Sequence, residues 1–363
     1  MASGTRRKVA VWGTGWVGTI SIRSVHARPD LDLVGVWVHS PDKVGTDAGT
    51  LAGIDEIGVV ATDDVEAILA LGPDCVIYAA SGPDLDAAAV PDYERMLRAG
   101  VDVVTVTSAG LVYPAGYGDQ AVVERLTAAA IEGGATLYAS GVEPGFAADD
   151  LPLKLLTLND TVESVRTQEI FSYAEYPVAF MMHEVFGFGK PLDHQPIMAM
   201  PGVQSGTWAG PVMMVAEALG VTLDRVRETY EVLPTPRRLE VASGVIEAGT
   251  VGAVRFETIG VVDGRDAIVI EHVNRMAADL APEWPTAERD GTYRIVVEGA
   301  PSYQCELVFG QPGTSSAEGM VATAMRIVNA VPAVCDAAPG LVSSLDLPLT
   351  LPIDPFRPSP HPA

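Results

Sequence analysis

The apolar run Val9-Ala10-Val11-Trp12 passes directly into Gly13-Thr14-Gly15-Trp16-Val17-Gly18. No other feature of the chain limits its fold as much. Behind the glycines, Val17, Ile20, Ile22 and Val25 keep rough helical spacing as far as Arg28-Pro29, and residues 31–38 form a second apolar run. Strand, glycine turn, helix and strand in this order are the setting in which such a loop binds a dinucleotide. Gly13 permits the tight turn, Gly15 lets the backbone approach a pyrophosphate with no Cβ in the way, and Gly18 lets helix lie close on strand. Thr14, Trp16 and Val17 complete the loop, and the helix start offers unpaired N–H groups to the phosphates. The plain alternative is a glycine turn with no ligand.

The end of the second strand discriminates between nicotinamide cofactors. An NAD enzyme places Asp or Glu there for the ribose 2′-hydroxyl. This chain has His39-Ser40-Pro41-Asp42-Lys43. His39, Ser40 and Lys43 can face a 2′-phosphate, which favours NADP, while Asp42 leaves NAD open. All of them could instead be surface turn residues.

Helices are expected at 63–71, 92–99 and 120–132, and strands at 74–80, 101–106 and 135–139. In such sheets ligands lie at the carboxyl ends of the strands. Ala80, Ser81, Thr107, Ser108 and Glu143 are therefore the residues nearest a nicotinamide ring. From about residue 162 the alternation stops. Residues 162–171, 225–233, 252–262, 267–276 and 292–309 read as strands, with a hairpin turn at Asp263-Gly264. Residues 207–219 read as a helix closed by Gly220. The expected architecture is an α/β Rossmann domain over residues 1–155 and an α+β domain with a largely antiparallel sheet over 156–316, for substrate and dimerisation. A helix from 317 packs back on the first domain, and 351–363 is a loose tail.

The balance of 23 basic against 47 acidic residues gives −24, which repels nucleic-acid phosphates and anionic membranes. No apolar run is long enough to span a bilayer. Arg6-Arg7 lacks the apolar segment and cleavage site of an export signal. Cys75, Cys305 and Cys335 lack metal-ligand spacing and fit reduced thiols in the cytoplasm. No metal is expected.

The fingerprint at Gly13, the segment Val44-Gly45-Thr46-Asp47-Ala48-Gly49 with Leu51-Ala52-Gly53, Gly141-Val142-Glu143-Pro144-Gly145-Phe146 and Asn329-Ala330-Val331-Pro332 form one pattern. It resembles the dihydrodipicolinate-reductase-like oxidoreductases, nearest to the 2,4-diaminopentanoate dehydrogenases and native amine dehydrogenases. The resemblance implies a Rossmann domain, a sheet domain over the substrate, a homodimer, and hydride transfer at a carbon bonded to nitrogen. Two departures stand out. The His-His pair followed by Lys of dihydrodipicolinate reductases proper has no counterpart near Gln168-Glu169-Ile170-Phe171-Ser172-Tyr173. The carboxylate that amine dehydrogenases carry after strand five is replaced by Ala109-Gly110.

Hydride transfer asks little of side chains beyond orientation and a proton source. Glu143 is the best replacement for the missing carboxylate, beside Pro144-Gly145 where a helix is expected to begin; a carboxylate at a helix start is the plain alternative. Tyr173, Tyr176 and His183 lie in a stretch with Phe180, Met181, Met182, Phe186 and Phe188, which is either an apolar pocket or simply core. His272 sits on a strand that can point it inward, as a catalytic acid or as a core histidine. The expected function is NAD(P)-dependent hydride transfer at an amine or imine centre of a small, largely apolar molecule, with Glu143, Tyr173, His183 and His272 as catalytic candidates. An NADPH-dependent carbonyl reductase and a non-catalytic NADP-sensing protein are the alternatives.

Overall fold

A computed structural model describes residues 6–311 and 314–361. The first five residues of the basic N-terminus and the last two of the tail lie outside the described residues. The chain divides into one unit of residues 1–145 and 320–363 and another of 146–319. The first boundary falls ten residues ahead of the expected one, because Ala148 and Leu156 already belong to the core of the second unit.

The first unit alternates strand and helix. Its elements are β1 (Arg7–Trp12), α1 (Trp16–Ala27), β2 (Leu31–Trp37), α2 (Ala48–Ala52), β3 (Ala61–Thr62), α3 (Val65–Ala70), β4 (Cys75–Tyr78), α4 (Pro83–Arg98), β5 (Asp102–Thr105), α5 (Gln120–Gly133) and β6 (Thr136–Ala139). The strands form one parallel sheet together with a seventh strand, residues 340–342, in the order 340–342, β6, β5, β4, β1, β2, β3. Each face is covered, so β4 and β6 are buried at every position. Ile22 and Val25 of α1 pack on one face with Ile327, Val328 and Val331. Ile68, Tyr93, Met96 and Leu126 of α3, α4 and α5 pack on the other. The chain lays β2 and β3 on one side of β1, then returns to lay β4 on the other. That reversal opens a crevice at the carboxyl ends of β1 and β4.

α4 starts nine residues before the expected helix. Pro83 suits a first helical turn, whereas Pro91 inside the helix hides its continuity in the sequence. Aspartates cap three of the other helices: Asp47, Asp64 and Asp119 each accept backbone N–H groups of the following turn.

The second unit contains α6 (Asp150–Leu156), β7 (Thr161–Ser172), α7 (Val203–Leu219), β8 (Arg225–Pro234), β9 (Leu239–Val241), β10 (Gly244–Ile246), β11 (Val251–Val262), β12 (Arg265–Arg275), β13 (Thr292–Ala300) and β14 (Tyr303–Val308). Its main sheet runs β14, β13, β7, β12, β11, β8; only β7 and β12 are parallel neighbours. The expected strand 292–309 is a hairpin, broken where Pro301 has no N–H to give a ladder. The β11–β12 turn is at Asp263-Gly264, both with positive φ (50° and 74°). Trp208, Val212 and Val215 of α7 cover one sheet face against Phe256, Ile268 and Ile270. Gly260 is needed there, because a Cβ on it would meet Val212 Cγ1 at 2.6 Å.

The chain closes with α8 (Ser315–Cys335), and β15 (Gly340–Val342) is the seventh strand of the first sheet. The tail beyond is without regular structure but ends docked: the ring of His361 meets Ser24 Oγ at 3.1 Å on α1, in the same unit. That tempers the expectation of a loose tail. Among the described residues no helix is long and apolar enough to cross a membrane.

Candidate active site

The glycine loop has the geometry that its sequence implies. Gly13 takes φ +99°, and a Cβ there would meet Ala80 Cα at 2.8 Å. A Cβ on Gly18 would lie 2.0 Å from the carbonyl oxygen of Gly13. Around the Cβ direction of Gly15 nothing lies within 4 Å. Gly15 is the N-cap of α1 and supplies no side-chain acceptor, and the first turn holds no acidic residue. The helix dipole and its N–H groups thus face open space, the cradle that a diphosphate fills. Trp16, the first residue of α1, is 42% exposed.

A cleft of about 140 Å³ adjoins the loop and is lined by Thr14, His39, Ser40, Lys43, Ala80 and Ser81 among others. Lys43 Nζ donates to Thr14 Oγ1 at 3.1 Å, so the ammonium sits over the loop. The indole of Trp37 forms one wall, stacked on buried Trp12 at 4.5 Å between ring centres and 8° between planes. Among the residues lining this cleft there is no carboxylate. These groups fit a nicotinamide dinucleotide.

At the next strand ends, Thr107 Oγ1 donates to the Ala80 carbonyl at 2.8 Å, tying the β5 loop to the β4 loop. Ser108 follows in the left-handed region at φ +61°, a conformation that few residues other than glycine hold without support. Past β6, Glu143 lies not at a helix start but in the turn 141–145; the next helix, α6, begins only at Asp150. That corrects the expected helix start. Gly145, at φ +121°, closes the turn so tightly that a Cβ would meet Gly141 N at 2.3 Å. Arg326 of α8 braces it, donating to the Gly145 carbonyl at 2.9 Å and to Tyr138 Oη at 3.2 Å. A small cleft of about 70 Å³ is lined by Glu143, Pro144, Ser140, Thr105 and Ala109 among others. Ala109 thus opens the space that Glu143 borders.

In the second unit the strand register aligns Tyr293, Glu169, His272, Phe256 and Tyr230 across five strands, on the face that α7 covers. Glu169 is only 8% exposed. Its Oε1 accepts from Tyr173 Oη at 2.6 Å and Asn274 Nδ2 at 3.1 Å, and its Oε2 from Tyr293 Oη at 3.2 Å. Burial, and then the charge and hydrogen bond of Glu169, push the Tyr173 phenol well above its usual range, so it is a donor at neutral pH. The His272 ring stacks on Phe256 at 4.3 Å and 4°, with Trp208 at 4.5 Å.

His183 is placed differently. Its Nδ1 lies 2.8 Å from the Phe188 carbonyl and its Nε2 3.0 Å from the Ser243 carbonyl. Both nitrogens are taken up in bracing loops, which removes the ground for an acid–base role. Met182, Phe186 and Phe188 are core, whereas Phe180 is exposed. Tyr173 rests its ring against Tyr176, Phe186 and Phe188.

Glu169, Asn274, Tyr293 and Arg326 are residues that sequence reasoning passed over. The first two lie close in sequence to Tyr173 and His272, but only the register brings them together.

Comparison with known proteins supports the fold described above. The family model for the dihydrodipicolinate reductase N-terminus matches residues 7–107. That for the 2,4-diaminopentanoate dehydrogenase C-terminal domain matches residues 146–355. An amine dehydrogenase of Streptomyces virginiae is 42% identical over 347 residues, 93% of this chain and 95% of its own. A 2,4-diaminopentanoate dehydrogenase of Acetoanaerobium sticklandii is 26% identical over 62% of this chain and 60% of its own. The solved structure of an amine dehydrogenase from Mycobacterium smegmatis superposes with a TM-score of 0.73 at 20% identity, covering 98% of each chain.

Proposed function

The chain belongs to the 2,4-diaminopentanoate dehydrogenase family of NAD(P)-dependent, amine-dehydrogenase-like oxidoreductases, and from that premise we propose that it moves a hydride between NADP and the C–N carbon of a small, largely apolar amine or imine. The reading rests most on one observation: Glu143 and Ala109 line the same cleft beyond the β5 and β6 strand ends. Where the resembled enzymes carry a carboxylate after strand five, this chain has a methyl group, with a carboxylate on the neighbouring turn. The nicotinamide supplies the hydride chemistry when bound.

Glu143 is half-buried, so its carboxylate can hold a proton released at nitrogen and pass it to water. Arg326 keeps the turn that carries it in place. Thr107 and Ser108 form the strand end that would hold the nicotinamide ring. Tyr173, a neutral phenol, donates rather than accepts, and His272 is held between aromatic rings. NADP is preferred over NAD because β2 is followed by His39, Ser40 and Lys43 with no carboxylate in the cleft. The working form is a homodimer in a reducing cytoplasm, consistent with three free cysteines.

The test is to add NADPH and a panel of small ketones, with and without ammonia, and follow the absorbance of reduced cofactor. Consumption that requires ammonia is expected. Consumption without ammonia replaces the reading with carbonyl reduction, and binding with no turnover replaces it with cofactor sensing.

A further inference from the structure

The second unit buries a carboxylate with no described lysine or arginine paired to it; the nearest titratable base in that unit is His272, whose ring offers a nitrogen within 4.8 Å of a Glu169 oxygen. Every described hydrogen bond to Glu169 comes from a neutral donor: two phenols, Tyr173 and Tyr293, and the Asn274 amide. No ion pair of a described residue includes it. The contrast with the next row of the same sheet is direct. There Glu271, 1% exposed in its side chain, is held by Arg166 at 2.6 Å and Arg255 at 2.7 Å. The sheet thus neutralises one buried glutamate with two guanidiniums and leaves its neighbour without any.

A buried charge is costly unless paired or thoroughly hydrogen-bonded. An ionised carboxylate offers about four acceptor positions. Oε1 of Glu169 receives two donors and Oε2 one, so a single position, on Oε2, is left. Aromatic rings pack on its two phenol donors: Phe171 lies 5.0 Å from Tyr293, and Phe186 5.6 Å from Tyr173. A carboxylate in such a wall discriminates strongly for one chemistry, a small cation with an N–H to donate and carbon on its other side.

We propose that Glu169 is the anion that binds a protonated nitrogen of the substrate, its last acceptor position taking an N–H from an alkylammonium or iminium group. This rests on the amine reading given above and deepens it: the ligand class is an alkylammonium. Tyr173, Tyr293 and Asn274 are positioning residues that hold the carboxylate in one rotamer.

The test measures binding rather than turnover, so it stands whether or not the amine reading holds. The NADP-loaded full-length protein is titrated with sec-butylamine, 1,3-diaminobutane and 2-butanol. Wild type is expected to favour the amines over the alcohol by about tenfold or more, and Glu169→Gln to erase that preference while 2-butanol binding stays within about twofold. Loss for both amines shows that one ammonium suffices for the contact; loss for the diamine alone shows that the contact takes a second ammonium. An unchanged amine-to-alcohol ratio in Glu169→Gln overturns the proposal. Should that variant not fold, Glu169→Asp, which keeps the charge but draws it back by one methylene, must weaken amines more than the alcohol. Equal weakening overturns the proposal as well. A wild-type protein that binds amines in this way yet never oxidises them sinks the amine reading alone.

Discussion

A Cβ on Gly18 would lie 2.0 Å from the carbonyl oxygen of Gly13, while one on Gly15, between them, would touch nothing. The two positions therefore answer to different demands, the first to the fold and the second to the ligand. Gly18→Ala must displace backbone and is expected to cost about 1–3 kcal/mol of stability. Gly15→Ser, at an N-cap with ordinary φ of −76°, is expected to change stability by less than about 0.5 kcal/mol. It should nonetheless weaken NADPH about tenfold or more, roughly 1.4 kcal/mol. Urea melts and cofactor titrations of both variants separate the effects; equal losses of stability would show that the space at Gly15 is not a phosphate cradle.

Lys43 hangs over the loop through Thr14 Oγ1. Removing a charge-assisted contact to a 2′-phosphate affects only the cofactor that carries one. Lys43→Ala is expected to raise the Kd for NADPH about tenfold and that for NADH less than about twofold. Parallel losses for both would refute the phosphate contact.

Glu143→Gln keeps the shape of the side chain and removes its ability to take a proton. General acid–base groups contribute about 10²–10⁴ in rate. A fall of kcat of about that size is expected with little change in NADPH affinity. Activity within about threefold of wild type would leave Glu143 as a turn residue only.

On the far face of the second sheet, Glu271 is buried between Arg166, Arg255 and the Gln168 amide. Burial alone would raise its pKa; the Gln168 hydrogen bond and the two guanidiniums outweigh that and hold it below its ordinary 4.5. A carboxyl depressed in the folded state stabilises above its unfolded pKa, and that contribution is lost as pH falls through the lower folded value. Glu271→Ala should cost about 3–5 kcal/mol at pH 7, because two guanidiniums lose their partner. The gap between wild type and variant should stay constant above about pH 5 and shrink at lower pH. Melts across pH that show a gap independent of acidity would disprove the assignment.

The first sheet was legible because its signals are local. The loop at Gly13, the strand–helix alternation and the run from His39 that lines the same cleft each lie within a few neighbouring residues. So does the turn at Asp263-Gly264. Pro91 hid the first half of α4, and the three residues of β15 are too few to show any period. The ring of aromatic and polar groups around Glu169 was illegible for another reason. Tyr293, Glu169, His272 and Phe256 are separated by up to 124 residues and come together only through strand register. Alternation marks which residues share a face of one strand, but not what stands opposite. His183 looked like chemistry and is bracing, since nothing in the sequence shows that two distant carbonyls occupy its nitrogens.

Gln168 and Glu169 are consecutive on β7, one turned to the charged lattice and the other to the ring-lined side. Sliding that strand one step would exchange them, sending a lone anion among guanidiniums and an amide into the place where a cation is to be received. Both sides would be damaged by the same slip, so neither mispaired form can be held by half of its interactions. Strand pairing and ligand selectivity are thereby enforced together, and mutations that loosen β7 should lower the yield of active molecules rather than broaden what they accept.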